Sequence, residues 1–204
     1  MADRLPIESA LPVGAIDTRA TGWWAMIFVV FTEASLFAYL LFSYFYLAVQ
    51  PHAPGTFPDG GLPDLTLAIP NTAILLLSSV AVGWAQFSIE RDNNRRLCAG
   101  LLIAAILGMI FLVVQYFEWV QKPFALASST YSSLYFVITG FHMAHVVVGV
   151  IVLWCLFAWS AMGYFNRLRY AHIHIGALYW HFVDVVWIAV FFTFYVTPFL
   201  GLRG

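Results

Sequence analysis

The chain has 204 residues, 62% of them hydrophobic and 9% charged, with a formal net charge of −1. A soluble globular domain carries about a quarter charged residues, so this is the composition of a membrane protein. The basic residues form no stripe that could follow a phosphate backbone, which excludes nucleic acid as a partner, and two cysteines, Cys98 and Cys155, cannot make a disulfide framework.

Residues 1–20 contain Asp3, Arg4, Glu8, Asp17 and Arg19 with two prolines and no continuous apolar core. They read as a polar tail rather than a secretory signal. Five apolar stretches follow, at about 21–49, 69–89, 97–121, 130–162 and 174–198. Each supplies the roughly 20 residues that a helix needs to cross ~30 Å of hydrocarbon. None alternates as a barrel strand does. The expected fold is therefore all-α, a polytopic membrane protein whose residues 21–204 form a bundle of five transmembrane helices.

The connections have turn chemistry. Residues 50–68 hold Pro51, Pro54, Pro58 and Pro63 with Gly55, Gly60 and Gly61; 90–96 is a short charged turn, 122–129 a short loop containing Pro123, and 163–171 a basic turn. Seven positive residues, Arg4, Arg19, Arg91, Arg95, Arg96, Arg167 and Arg169, fall on one side of this topology, against Lys122 and Arg203 on the other. Positive loops stay inside, so the amino terminus is expected in the cytoplasm and the carboxyl terminus in the periplasm. Neither a Walker loop nor a nucleotide fingerprint nor a cysteine cluster is present in the sequence.

Several polar residues interrupt the apolar stretches. Glu33 sits about a dozen residues into the first helix beside Phe31, Leu36 and Phe37, with no opposite charge nearby in sequence. Either it hydrogen-bonds a neighbouring helix or it has a functional role. His142 and His145 lie three apart on one face of the fourth helix, continued by Gly149. Two imidazoles could join a metal site if other ligands came in, His142 and His181 could hold a haem, or the histidines could serve as interhelical donors.

His181 and Asp184, again three apart, lie in the fifth stretch. Ionising an aspartate at that depth costs roughly 2.5 to 3.5 kcal/mol, so the two are expected to satisfy each other and to present a joint polar edge. Counting residues from the helix ends puts Glu33, His142, His181 and Asp184 within about one turn of mid-membrane, with His145 a little lower. A shared buried cluster of these five is expected. Glu118, near Gln115 and four residues before Lys122, should instead form an ion pair near the outer interface. His172 and His174, at the cytoplasmic entry of the fifth helix, read as solvated. From a different class, an independent transporter or proton-conducting protein using Glu33 and Asp184 is the alternative; secondary transporters usually show internal repeats and interrupted helices, and the sequence has neither.

The run Tyr179-Trp180-His181-Phe182-Val183-Asp184-Val185-Val186-Trp187 resembles a motif of subunit III of the haem-copper oxidases, in its short five-helix bacterial form. So do Thr139-Gly140-Phe141-His142-Met143-Ala144-His145-Val146 and Thr32-Glu33-Ala34-Ser35-Leu36-Phe37. Asn71-Thr72, Gln115 with Glu118, and Tyr131-Ser132-Ser133 also fit that pattern. Met143 and Ala144 depart from it, standing where glycine and leucine are usual. The resemblance implies an accessory subunit of a proton-pumping terminal oxidase in the bacterial inner membrane. Such a subunit packs against the catalytic subunit I and other oxidase subunits, helps sustain proton uptake and binds membrane phospholipids. It implies no cofactor or metal in this chain, with haem and copper in partner subunits. Glu33 matches the family's buried carboxylate, and His142, His145, His181 and Asp184 its recurring polar positions. The equivalent subunit of a quinol oxidase, or a chain accompanying nitric oxide reductase, fits the same residues.

Overall fold

The structure, a computed structural model, describes residues 21–51, 57–59, 61–165 and 170–200. The polar tail at 1–20 and the basic positions Arg167, Arg169 and Arg203 lie outside the described residues. Five helices succeed one another: α1 (Thr21–Ala48), α2 (Leu65–Glu90), α3 (Asn94–Gln121), α4 (Thr130–Ala161) and α5 (Ala171–Phe191). The last continues through a π turn at Phe192–Val196 and a 3-10 turn at Thr197–Leu200. All five spans are long and apolar enough to cross a membrane, and the described residues include no β-strand.

Helix ends follow from local chemistry. The Asp64 carboxylate accepts the Thr66 amide at 2.9 Å, so α2 starts at Leu65, about four residues before the apolar stretch alone suggests. That bond also holds the Asp64 carboxyl below the usual carboxylate range. Pro70 falls inside the helix, in its second turn. Asn93 caps α3 through the Arg96 amide at 3.1 Å, and Ser129 with Ser132 forms a reciprocal capping box at the start of α4. Asp92, at φ 58°, turns the chain between α2 and α3.

The helices alternate in direction. Asn94 at the start of α3 donates to the Ser160 carbonyl near the end of α4 at 2.9 Å, and Asn71 near the start of α2 reaches Phe111 O and Gln115 Oε1 of α3 at 3.4 Å. Tyr44 near the end of α1 meets Thr197 at 3.1 Å. One end of the bundle thus carries the α2–α3 turn with Arg91, Arg95 and Arg96, and the other carries the α1–α2 connection.

Helix α5 packs against α1, α2 and α4, and α3 closes against α2 and α4. Trp180 and Trp187 of α5 are fully buried. Trp180 fits because two neighbouring positions have no side chain: a Cβ on Gly108 of α3 would stand 2.7 Å from its ring, and one on Gly149 of α4, 2.8 Å. Small residues that let membrane helices approach closely are the usual route to dispersion contact where no hydrophobic effect acts between helices. Helix α1 is held differently, burying only Phe37, Tyr44 and Ala48 while Phe28, Phe31, Tyr39 and Phe42 face outward.

Candidate functional site

The polar residues expected to form one cluster fall into separate seams. On α1, Glu33 lies one turn before Phe37 on the face turned to the bundle. Its Oε2 meets His145 Nε2 of α4 at 3.0 Å, while His145 Nδ1 lies 2.7 Å from the Phe141 carbonyl. A carbonyl only accepts, so Nδ1 carries a proton. Nε2 then either accepts from a protonated carboxyl or, as part of an imidazolium, donates to a carboxylate, and the pair is electrically neutral in both cases. Neutrality matters here because an isolated charge in hydrocarbon is costly.

His142, three residues earlier, faces the core instead. Its ring lies 4.8 Å from that of Trp187, 5.9 Å from Phe111 and 6.4 Å from Phe37, and neither nitrogen has a hydrogen-bond partner. It therefore joins an aromatic stack rather than a polar layer.

His181 and Asp184 do not pair as their spacing suggested. The His181 ring turns to α2, where Nδ1 meets Ser79 Oγ at 2.6 Å and Nε2 meets Gln86 Oε1 at 3.4 Å. Asp184 is buried; its carboxyl faces the Ser79 hydroxyl, but neither oxygen closes a hydrogen bond. The reason is competition: two polar α2 side chains lie within direct reach of the imidazole, so it bonds across the seam rather than along its own helix. His174 also departs from expectation. It is half-buried, with Nδ1 at 3.4 Å from Gln86 Nε2 and Nε2 at 3.6 Å from Glu90 Oε1.

At the opposite end, Lys122 Nζ lies 2.9 Å from Glu118 Oε1, with both side chains largely buried. The same oxygen accepts from the hydroxyls of Tyr195 and Tyr135, which stand 3.2 Å apart, while Glu118 Oε2 is left without a partner. Lys122 also lies 5.0 Å from the Tyr135 ring. These groups floor a cavity of about 180 Å³ that Asp59, Asp64 and Phe124 help to wall. Among the described residues, no group of three or more histidine, cysteine or acidic side chains is placed to hold a metal ion.

The sequence profile of the family described as cytochrome c oxidase subunit III matches residues 17–198. Subunit 3 of the Homo sapiens cytochrome c oxidase is 34% identical over 177 residues, which cover 84% of this chain and 68% of the relative. The Drosophila melanogaster subunit is 32% identical over the same extent, and that of Pongo pygmaeus 33% identical over 196 residues, 94% of this chain and 71% of the relative.

The chain belongs to the cytochrome c oxidase subunit III family.

Membership makes it a multi-pass membrane component of an oxidase complex, associated with other subunits of that complex. The polar residues singled out from the sequence are here spread over several helix contacts: Glu33 with His145 joins α1 to α4, His142 stacks inside the core, and His181 joins α5 to α2. Sequence reasoning missed Ser79, Gln86 and Glu90. Their signal was periodic. Ser79 and Gln86 are seven apart on α2, as His174 and His181 are on α5, so two polar stripes of matching repeat run along facing helices.

Proposed function

We propose that this subunit is a non-catalytic scaffold in a proton-pumping terminal oxidase of a bacterial cytoplasmic membrane. It docks the catalytic subunit I, keeps that subunit stable in turnover, supports its proton uptake and holds phospholipid against its outer helices, while haem and copper reside in partner subunits. The amino terminus lies in the cytoplasm, on the side where the positive residues gather.

One observation carries this reading: the intramembrane glutamate and its histidine bond each other across a helix seam, at 3.0 Å. A residue pair committed to joining helices supports assembly rather than electron transfer. The outward aromatic face of α1 adds to it, since Phe28, Phe31, Tyr39 and Phe42 need an apolar neighbour, either acyl chains or a partner helix. The relatives' names favour cytochrome c as the electron donor to the complex.

The test is to purify the oxidase with and without this subunit and to follow oxygen consumption through repeated turnover. Oxygen reduction should persist without it but decay faster and take up protons more slowly. Complete loss of oxygen reduction on removal, or a haem absorbance band retained by the subunit when isolated, would overturn the proposal. A copper-bearing subunit co-purifying in mild detergent supports the cytochrome c assignment, and its absence indicates a quinol donor.

A further inference from the structure

The seam between α2 and α5 holds a continuous line of polar groups. From the arginine-bearing end inward it runs Glu90, His174, Gln86, His181 and Ser79, with successive contacts of 3.6, 3.4, 3.4 and 2.6 Å. Along α2, Ser79 to Glu90 spans about 16 Å of helix rise, roughly half the hydrocarbon thickness. Glu90 is half exposed at the outer end of the line, and Asp184 is buried beside Ser79 at the inner end.

Hydrogen-bond direction in this line is constrained. The Gln86 amide has an oxygen that only accepts and a nitrogen that only donates. As placed, its oxygen takes the N–H of His181 Nε2, which leaves His181 Nδ1 to accept from the Ser79 hydroxyl. Its nitrogen donates to His174 Nδ1, which leaves the proton of neutral His174 on Nε2, facing Glu90. Every donor points toward Glu90. Because the amide lies between the two imidazoles, its oxygen faces one ring and its nitrogen the other, so only the ring facing the oxygen presents an N–H to it.

We propose that this seam is a proton-coupled relay, in which a proton bound by His174 at the arginine-bearing end turns the Gln86 amide over and switches His181 to its other tautomer. His174 Nδ1 gains one proton from water and needs an acceptor, which the Gln86 oxygen becomes on rotating by half a turn. The amide nitrogen then faces His181 Nε2, which must be unprotonated. His181 gives its Nε2 proton to water and takes one from water on Nδ1, so it keeps a single proton and donates to Ser79 rather than accepting from it. The net change is one proton taken up, on His174, and no bond between heavy atoms changes. The hydroxyl of Ser79 is freed to donate to Asp184, whose oxygens otherwise have no partner. Protonation near the surface is thereby read out beside a buried carboxyl at mid-membrane.

The groups acting on the two rings are few. Among the described residues, Glu90 lies 3.6 Å from His174, Tyr170 packs on the His174 ring at 5.1 Å, and the acidic group nearest His181 along its own helix is Asp184, one turn on. The relay rests on none of the contacts used for docking, so either can fail alone.

The experiment is nitrogen-15 solid-state NMR of the full-length chain, labelled at histidine, in the membranes that express it, titrated with pH. His174→Gln and His181→Gln assign the signals. In the unaltered chain, the protonated and unprotonated nitrogens of His181 should exchange identities over the same pH interval in which His174 becomes doubly protonated. Gln86→Leu should leave His174 titrating while His181 no longer follows. Gln86→Glu, whose carboxylate accepts from both rings, should keep His181 protonated on Nε2 throughout. If His181 holds one tautomer across the His174 transition in the unaltered chain, the relay is refuted. The same follows if His174 never takes a second proton before the protein denatures, or if the switch survives in Gln86→Leu. The first measurement decides even where a variant fails to fold.

Discussion

The contact between α1 and α4 can be tested by a double-mutant cycle on Glu33 and His145. One hydrogen bond of 3.0 Å joins them, and the imidazole is already fixed by its second nitrogen on the Phe141 carbonyl, so little ordering is lost in forming it. Interhelical hydrogen bonds in membranes contribute on average about 0.6 kcal/mol and at most about 1.7 kcal/mol. A preorganised bond should fall inside that range, so the expected coupling is about 1 kcal/mol, or roughly a fivefold change in an equilibrium. Glu33→Leu and His145→Leu should each weaken retention of the subunit in the complex, and the double variant should be less harmful than the sum of the two. Glu33→Gln should stay close to the unaltered protein, because the glutamine amide can donate to the unprotonated Nε2 of neutral His145. Subunit retention over a detergent titration, quantified on gels, gives the four corners of the cycle. Strict additivity of Glu33→Leu and His145→Leu would refute an energetic link between α1 and α4 at this point. If Glu33→Gln proves as harmful as Glu33→Leu, the pair is ionised instead.

Further outcomes follow from the core, the buried ion pair and a helix cap. Gly149→Val places methyl groups inside the contact that a bare Cβ already makes with Trp180 at 2.8 Å; overpacking of this kind costs about 1–3 kcal/mol, and adding Trp180→Phe should recover part of it in a thermal melt of the complex. Lys122→Met leaves the Glu118 carboxylate buried without its cation, a loss of about 3 kcal/mol, and Lys122→Met with Glu118→Gln should be milder than Lys122→Met alone in the same melt. Asp64 has a folded-state carboxyl held below its unfolded range, so its contribution is complete at pH above that range and disappears as pH falls through the folded value. Protection of the amides in the first turn of α2, taken relative to their intrinsic exchange rate at each pH, should therefore fall on acidification, and Asp64→Asn should show no such fall.

The spans were legible because a run of about 20 apolar residues has few other uses. The start of α2 was obscured by its surroundings: Pro63 and Pro70 flank the Asp64 cap, and proline reads as loop. Glu118 and Lys122 were legible as a pair because a spacing of four on one helix fixes their proximity whatever the rest of the chain does. The mid-membrane layer was a weaker inference. Depth follows from counting residues, but which members meet depends on how each helix is rotated about its axis. His142 and His145 differ by about 60° around α4, enough to send one ring into the stack with Trp187 and the other to Glu33. The same limit explains His181, whose partners Ser79 and Gln86 lie about a hundred residues away in sequence.

The bonds between α2 and α5 also bear on which part of the subunit can move. Trp187 donates to Thr72, Trp180 to Ser78 and His181 bonds to Ser79, at 3.0, 3.0 and 2.6 Å. Each such bond is worth little by itself in hydrocarbon. Together they fix a register, because sliding one helix past the other by a single residue breaks all of them at once, and the glycine-framed ring of Trp180 blocks the movement sterically. The relay between His174 and His181 is thus mounted on a rigid seam, where a change of proton position need not be lost in helix motion. Helix α1 is held differently: among the described residues its contacts include the buried Phe37, Tyr44 and Ala48, the Glu33–His145 and Tyr44–Thr197 bonds, and the rings of His145 and Phe194 against Phe37 and Tyr44.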